Sequence, residues 1–250
     1  MGEAMDIPRI CLRLDQVASW RQMRRSDYPE PLAVAQAAGV AGADLVSCSY
    51  HSQVSKMQLR DLQLLRQAAG VPLQIELPAT QESLRVAYDV KPDCIVVVPD
   101  SDEDSVVGEG VDVSRNREQL RSFVQNLRDA DIRAGVLLEP DLDQVRSAHR
   151  ADVHQVMINT RRFAQAHAPA ERRHELERIV DVVKTASRLG LEVSAGGGLD
   201  LRGLRLLGAM EEVGVLVVGH WLLSRALFVG LREALQDLAR ALSEGPRRGS

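Results

Sequence analysis

Two loops that contain glycine, which we call the glycine clusters, follow short apolar runs. They are the clearest candidate sites for chemistry in this chain. The run Leu191–Ser194 is followed by Ala195–Gly198, and the run that ends at Gly219 is followed by His220. Glycines let backbone N–H groups approach an anion closely, and a following helix adds its positive N-terminal end. The pattern therefore predicts a phosphate site that includes Gly198, Gly219 and His220. The alternative is that these glycines only relieve steric strain in two turns.

One carboxylate closes an apolar run where an acid or base would be useful. Glu76 lies in the run Gln74–Leu77. Partial removal from water raises the pKa of a carboxyl group toward the range of a general acid or base. We predict that Glu76 is catalytic, and the alternative is an ion pair with a basic residue on a neighbouring strand.

Other polar residues follow apolar runs with weaker signals. Asp15 follows the first run, and Arg24 lies in the basic segment Arg21–Arg25, which we predict to be a loop that could place an arginine over a phosphate. Charged loops are more often simply solvated. Ser49 and His51 end the second run, but the sequence locates no partner that would make a nucleophilic triad.

Histidine and cysteine spacing gives no sign of a metal. The other histidines lie near polar helical segments, and the cysteines lie inside apolar runs without a CxxC pair: His149, His154, His167, His174, Cys11, Cys48 and Cys94. A strand-flanked GxGxxG fingerprint is also absent from the sequence. We therefore expect neither a metal nor a cofactor.

Composition excludes several classes of partner. The 250 residues are 45% apolar, 26% charged and 3% aromatic, with a net charge of −4. Few aromatic rings and slight acidity argue against a nucleic-acid partner. No apolar window is long enough for a membrane span, and Met1–Arg13 lacks the features of a signal peptide. We expect a cytoplasmic protein with no membrane partner.

The elements that must position these residues alternate along the chain between β-branched runs and helical patterns. Predicted strands are Arg9–Leu14, Asp44–Ser49, Leu73–Leu77, Asp93–Pro99, Arg133–Leu138, Val153–Ile158, Leu191–Ser194 and Val215–Gly219. Predicted helices are Pro31–Ala41, Lys56–Ala69, Gln81–Asp89, Arg115–Ala130, Leu142–Arg150, Arg172–Leu189, Leu201–Glu211 and Ser224–Leu242. Eight such units in this length predict an α/β fold, a single-domain (β/α)8 TIM barrel over residues 1–244 with a flexible tail at 245–250. A doubly wound open sheet is the alternative.

A family resemblance covers about Ile10 to Leu238. The matching segments are Asp15 with Val17-Ala18-Ser19 and Arg21, Tyr28-Pro29-Glu30-Pro31, Ala41-Gly42-Ala43-Asp44, Ile75-Glu76, Lys91-Pro92, Val98-Pro99, Glu109-Gly110-Val111-Asp112-Val113, Ala195-Gly196-Gly197-Gly198-Leu199, Gly219-His220 and Ser224-Arg225-Ala226. Together they resemble pyridoxine 5′-phosphate synthase. The resemblance implies a barrel assembled as a homo-octamer that condenses 3-amino-2-oxopropyl phosphate with 1-deoxyxylulose 5-phosphate, releasing inorganic phosphate.

The resemblance carries over to the two substrates unequally. The residues that match the family's contacts to aminooxopropyl phosphate are Arg24, Gly198, Gly219 and His220, while Arg13 replaces an asparagine. At the deoxyxylulose phosphate side Asp15 is kept. Four matched positions there have changed, with Gln16 for histidine, His51 for arginine, Lys56 for histidine and Val106 for threonine. The second substrate has lost most of its matched contacts.

The positions that carry the chemistry have changed further. Glu76 matches the family's glutamate base, but Ser49 and Gly197 replace its two catalytic histidines and Met157 replaces a glutamate. Ring closure needs several proton transfers, and methionine and glycine cannot perform them. We therefore expect that the parent reaction is not run efficiently.

Three hypotheses stay open for this chain. The first is a divergent enzyme that keeps one phosphate site and Glu76 and acts on a related small phosphorylated metabolite; the new polar groups Arg13, Gln16, His51 and Lys56 favour it. The second is the parent synthase working with substitute acids and bases, His51 among them. The third is a phosphate-ligand sensor or scaffold without catalysis.

Overall fold

Eight parallel strands form a closed barrel in which each strand pairs with the next and β8 pairs with β1. The structure, a computed structural model, describes residues 7–51, 56–100 and 109–244. The strands are β1 (Arg9–Arg13), β2 (Leu45–Ser49), β3 (Leu73–Pro78), β4 (Cys94–Val98), β5 (Arg133–Leu138), β6 (Gln155–Asn159), β7 (Glu192–Gly196) and β8 (Val215–Val218). This confirms the predicted (β/α)8 barrel, and the open doubly wound sheet is wrong.

Helices surround the barrel and cover its outer face. They are α1 (Asp15–Arg24), α2 (Pro31–Ala41), α3 (Leu59–Ala68), α4 (Gln81–Val90), α5 (Val113–Asp129), α6 (Leu142–Arg150), α7 (Arg161–Gln165), α8 (Pro169–Arg188), α9 (Leu201–Gly208), α10 (His220–Val229) and α11 (Leu231–Ser243). Most lie within a few residues of their predicted bounds. The predicted tail at 245–250 and Val106 lie outside the described residues.

Two predictions about helices are wrong. The basic segment Arg21–Arg25 is not a loop, because α1 runs through it to Arg24. An acidic first turn, a basic last turn and the absence of Gly and Pro from Asp15 to Arg24 favour this helix. The segment Ser224–Leu242 is two helices, since Gly230 with φ +83° ends one and begins the next.

Strand register decides which side chains point into the barrel. Ser49 pairs with Glu76, and Leu137 pairs with Met157, so these residues share the inward face. The middle of the barrel is packed with apolar side chains, among them Cys11, Val96, Leu137 and Met157. Larger apolar contacts lie between the sheet and the helices. The barrel interior is therefore a packed core whose polar groups lie above and below.

The described helices include no segment long and apolar enough to cross a membrane.

Candidate active site

The carboxyl-terminal ends of the strands hold the polar groups that the sequence singled out. A cavity of about 330 Å³ opens at this end beside Thr80, Asp100 and Gly110. A larger cavity of about 610 Å³ lies at the opposite end, next to Arg9 and Gln155. TIM barrels build their active sites at the carboxyl-terminal ends of the strands, so we place the candidate site at that end, beside the smaller cavity.

Arg13 connects the groups at the ends of β1, β2 and β3. Its Nη1 donates to Oε1 of Glu76 at 2.7 Å, and its Nε lies 2.8 Å from Oδ2 of Asp15. Its Nη2 donates to the Ser49 hydroxyl, which donates to Oε2 of Glu76 at 3.2 Å. The backbone N–H of Ser49 donates to Asp15 at 2.9 Å. These four residues form one network, which we call the Arg13 cluster.

Glu76 is 2% exposed, so its carboxylate depends on this network instead of on water. Burial raises the pKa of Glu76 above its ordinary value, although Arg13 opposes the shift. Burial would lower the pKa of Arg13, but Asp15 and Glu76 outweigh it and raise that pKa. The glutamate makes the ion pair with a neighbouring strand that the sequence left as the alternative, and its catalytic role stays a prediction.

The two glycine clusters lie side by side. Gly196 pairs with Val217 between β7 and β8, so Gly198 and Gly219 are at the same level of the barrel. Gly219 is the N-cap of α10, and in the described chain no side chain caps that helix. The N–H groups of the first turn, which begins at His220, are therefore available to an anion.

The glycine cluster at β8 also adjoins the Arg13 cluster. A methyl group added at Gly219 would lie 2.9 Å from Oε1 of Gln16 and 3.1 Å from Cβ of Arg13. The candidate phosphate site and the buried ion pair are thus parts of one mouth. Gln16 reaches this mouth, and its buried Oε1 accepts no hydrogen bond among the described residues.

Arg24 and Lys56 are among the sequence-predicted residues that are not members of the Arg13 cluster. Arg24 is exposed near the end of α1, where no described contact places it at the mouth. Arg21, not Arg24, is the buried arginine of this helix, and it donates to Asp61 on α3. Lys56 is half-buried and lies between β2 and α3.

A histidine–carboxylate pair joins the loops after β2 and β4. Nε2 of His51 lies 3.1 Å from Oδ1 of Asp100. Sequence reasoning located no partner for His51, because 49 positions separate the two residues. A carboxylate that orients an imidazole is a common arrangement for proton transfer.

Glu139 and Asn159 form a second polar group that sequence reasoning missed. Oε1 of Glu139 accepts from Nδ2 of Asn159 at 2.7 Å and from the N–H of Gly110 at 3.0 Å. Nε of Arg162 lies 3.4 Å from Oε2 of the same carboxylate. Glu139 directly follows the predicted fifth strand. Its place at a strand end was the sequence feature that could have identified it as a site residue.

The family resemblance predicts that Gly197 takes the position of a histidine, and the structure leaves no room there for a larger side chain. Its φ is +123°, and an added Cβ would lie 2.8 Å from Oδ1 of Asn159 and 3.1 Å from the N of Arg161. The backbone and Asn159 together require glycine here.

We predict that Gly197→His destabilises the protein by about 2–4 kcal/mol, from the positive φ and from overpacking. Urea denaturation measures the loss. The matched control is Gly190→His, because Gly190 has φ +78° but nothing within 4 Å of its added Cβ. In Gly190→His the free energy of unfolding should fall only by the conformational cost of the positive φ, about 1–2 kcal/mol. Equal losses at the two glycines would contradict the role given to Asn159.

Comparisons with known proteins agree with this architecture. Residues 10–244 match the family model described as pyridoxal phosphate biosynthesis protein PdxJ. The chain is 34% identical over 230 residues to the pyridoxine 5′-phosphate synthase of Geotalea daltonii, covering 92% of this chain and 96% of that protein. It is 33% identical over 232 residues to the synthase of Thermosynechococcus vestitus, covering 93% and 98%.

A solved structure supports the fold alone. The structure described as KGPDC from Streptococcus mutans superposes with a TM-score of 0.65 at 12% identity, covering 96% of this chain and 99% of that one. The family match and the identity to the synthases extend over nearly the whole chain, and this chain belongs to the pyridoxine 5′-phosphate synthase (PdxJ) family.

Proposed function

We propose that this chain is an enzyme that binds a small phosphorylated amino-ketone and catalyses a condensation or related reaction different from the parent synthesis. In this proposal the phosphate binds at Gly198, Gly219 and His220, and Glu76 acts on the bound ketone. A homo-oligomeric assembly, an octamer by the family resemblance, and a cytoplasmic location belong to the same proposal.

The observation that carries the proposal is the Arg13 cluster. Arg13 stands where the family has asparagine and holds Asp15, Ser49 and Glu76 together. A ligand with a carbonyl or hydroxyl group could hydrogen-bond to Arg13 or to the two carboxylates in place of part of this network. The network therefore favours a ligand of that kind. Replacing buried ion pairs by apolar side chains often leaves the stability of a protein unchanged or raises it. Stability alone therefore does not account for a charged network at the mouth of the barrel.

The chemistry available to Glu76 follows from its environment. A carboxylate whose pKa is raised by burial is a stronger base than a solvated one, so Glu76 could take a proton from a bound ketone and return it to the product. Arg13 would fix the carboxylate position and stabilise negative charge that develops on a neighbouring oxygen. Ser49 passes a hydrogen bond between the two groups but is a poor acid or base.

One observation favours a second candidate, the parent synthase with substitute groups. The pair formed by His51 and Asp100 supplies an imidazole on the rim, where the family has arginine. An imidazole there could replace one of the two missing histidines in proton transfer.

Binding of the two parent substrates tests the proposal against a scaffold. Calorimetry is expected to detect 3-amino-2-oxopropyl phosphate and to find 1-deoxyxylulose 5-phosphate bound at least about tenfold more weakly, because one lost charge-assisted contact is worth about 1.5–3 kcal/mol. Gly219→Val should abolish the first interaction, since Gln16 and Arg13 crowd the added side chain.

Gly214→Val is the control, because the nearest atom to a Cβ at Gly214 is 3.6 Å away and the position is exposed outside the mouth. Its binding should equal that of the unchanged protein. If neither phosphate binds at millimolar concentration, the chain is a scaffold and the proposal is wrong.

A further inference from the structure

The Glu139 carboxylate has one satisfied oxygen and one unsatisfied oxygen. Oε1 accepts two hydrogen bonds, from Asn159 and Gly110. Oε2 is buried and accepts no hydrogen bond within the part of the chain that the structure describes, although Nε of Arg162 lies 3.4 Å away. A buried carboxylate oxygen without a donor costs free energy, and a bound ligand that supplies a donor removes this cost.

Glu139 is connected to the glycine cluster after β7 through Asn159. Asn159 pairs in register with Gly196, and its Oδ1 lies 2.8 Å from the place of an added Cβ on Gly197. Its amide donates to Glu139 at 2.7 Å. Asn159 therefore lies between this carboxylate and the glycine cluster that contains Gly198, and we expect a short ligand to reach both.

The charge around Glu139 decides what donor it accepts. Arg162 lies 3.4 Å from Oε2 with a side chain that is 60% exposed, so water screens this ion pair. Asn159 is 4% exposed and fixes the carboxylate from inside. A positively charged donor is therefore favoured at Oε2, because the exposed Arg162 compensates this carboxylate only weakly.

We propose that Glu139 binds the protonated amine of the ligand whose phosphate lies at Gly198 and Gly219. The inference rests on the proposed function and adds a specificity-determining residue to it. Glu139 selects phosphorylated amines over phosphates that carry only carbon at the other end. Asn159 is a positioning residue that holds the carboxylate.

The test compares two probes that differ in one group, 3-aminopropyl phosphate and propyl phosphate, by calorimetry. The unchanged protein is expected to bind the amine about 10- to 100-fold more tightly, as for a hydrogen bond between charged groups. In Glu139→Gln this ratio should fall to near one, while the affinity for propyl phosphate changes less than about threefold. Glu192→Gln is the control, because Glu192 pairs with Arg133 at the other end of the barrel.

Each result decides the inference. Equal binding of the two probes by the unchanged protein overturns it, and so does an unaltered ratio in Glu139→Gln. If that variant does not fold, Glu139→Asp replaces it, since shortening the side chain should lower the ratio at least about threefold. Failure of both probes to bind instead refutes the proposed function, and the amine site falls with it.

Discussion

Purified protein given both parent substrates is expected to form pyridoxine 5′-phosphate at least about 10³-fold more slowly than the synthase of Geotalea daltonii. The family resemblance implies that Ser49, Gly197 and Met157 replace three proton-transfer groups of the family. Each such group is worth about 10²–10⁴ in rate, and losses within one site add incompletely. Arg13 also engages the remaining glutamate in an ion pair.

Product formation by the two proteins, followed by chromatography in the same assay, measures the difference. Glu76→Gln in this chain should lower any residual rate further. A rate within about tenfold of the relative's would refute the altered reaction and favour the parent synthase, with His51 and Asp100 as the first residues to change. Products other than pyridoxine phosphate, found by mass spectrometry, would identify the reaction.

Arg13→Met is expected to lower the free energy of unfolding by about 3–5 kcal/mol at neutral pH, because it leaves the Glu76 carboxylate buried without its cation. The side chains of Arg13 and Glu76 are 14% and 2% exposed. Urea denaturation followed by circular dichroism measures the loss. Arg133→Met is the control: that arginine pairs with Glu192, but both side chains are about half exposed, so the loss should stay below about 1 kcal/mol.

The loss in Arg13→Met should also depend on pH. Without Arg13 the pKa of Glu76 rises further above 4.5, its ordinary value, because burial is then unopposed. Above pH 4.5 the Glu76 carboxyl group loses its proton in the unfolded chain but keeps it in the folded variant. The free energy of unfolding of the variant therefore falls as pH rises. The deficit is therefore smaller near pH 4.5 than at pH 8. Adding Glu76→Gln should remove this dependence and recover most of the stability, and a deficit that is constant with pH would contradict the burial of an unpaired charge.

The barrel and the family could be predicted from the sequence because both depend on patterns along the chain. Eight β-branched runs separated by helical segments fix the strand count, and strand parity places Glu76 on the inward face. The same alternation of strands and helices places the glycines Gly198 and Gly219 just after β7 and β8. Helix α1 was missed, because its charged surface resembles a solvated loop and its buried partner, Asp61, is distant in sequence.

What the sequence by itself determined was the order of the elements and the family. Tertiary structure alone decided that Arg13 pairs with Glu76, that Asp100 reaches His51, and that Asn159 joins Glu139 to Gly197. The physical reason is closure of the barrel. It brings strand ends that are 20 to 63 positions apart in the chain to hydrogen-bond distance, and burial there makes the pairing of each charge decisive.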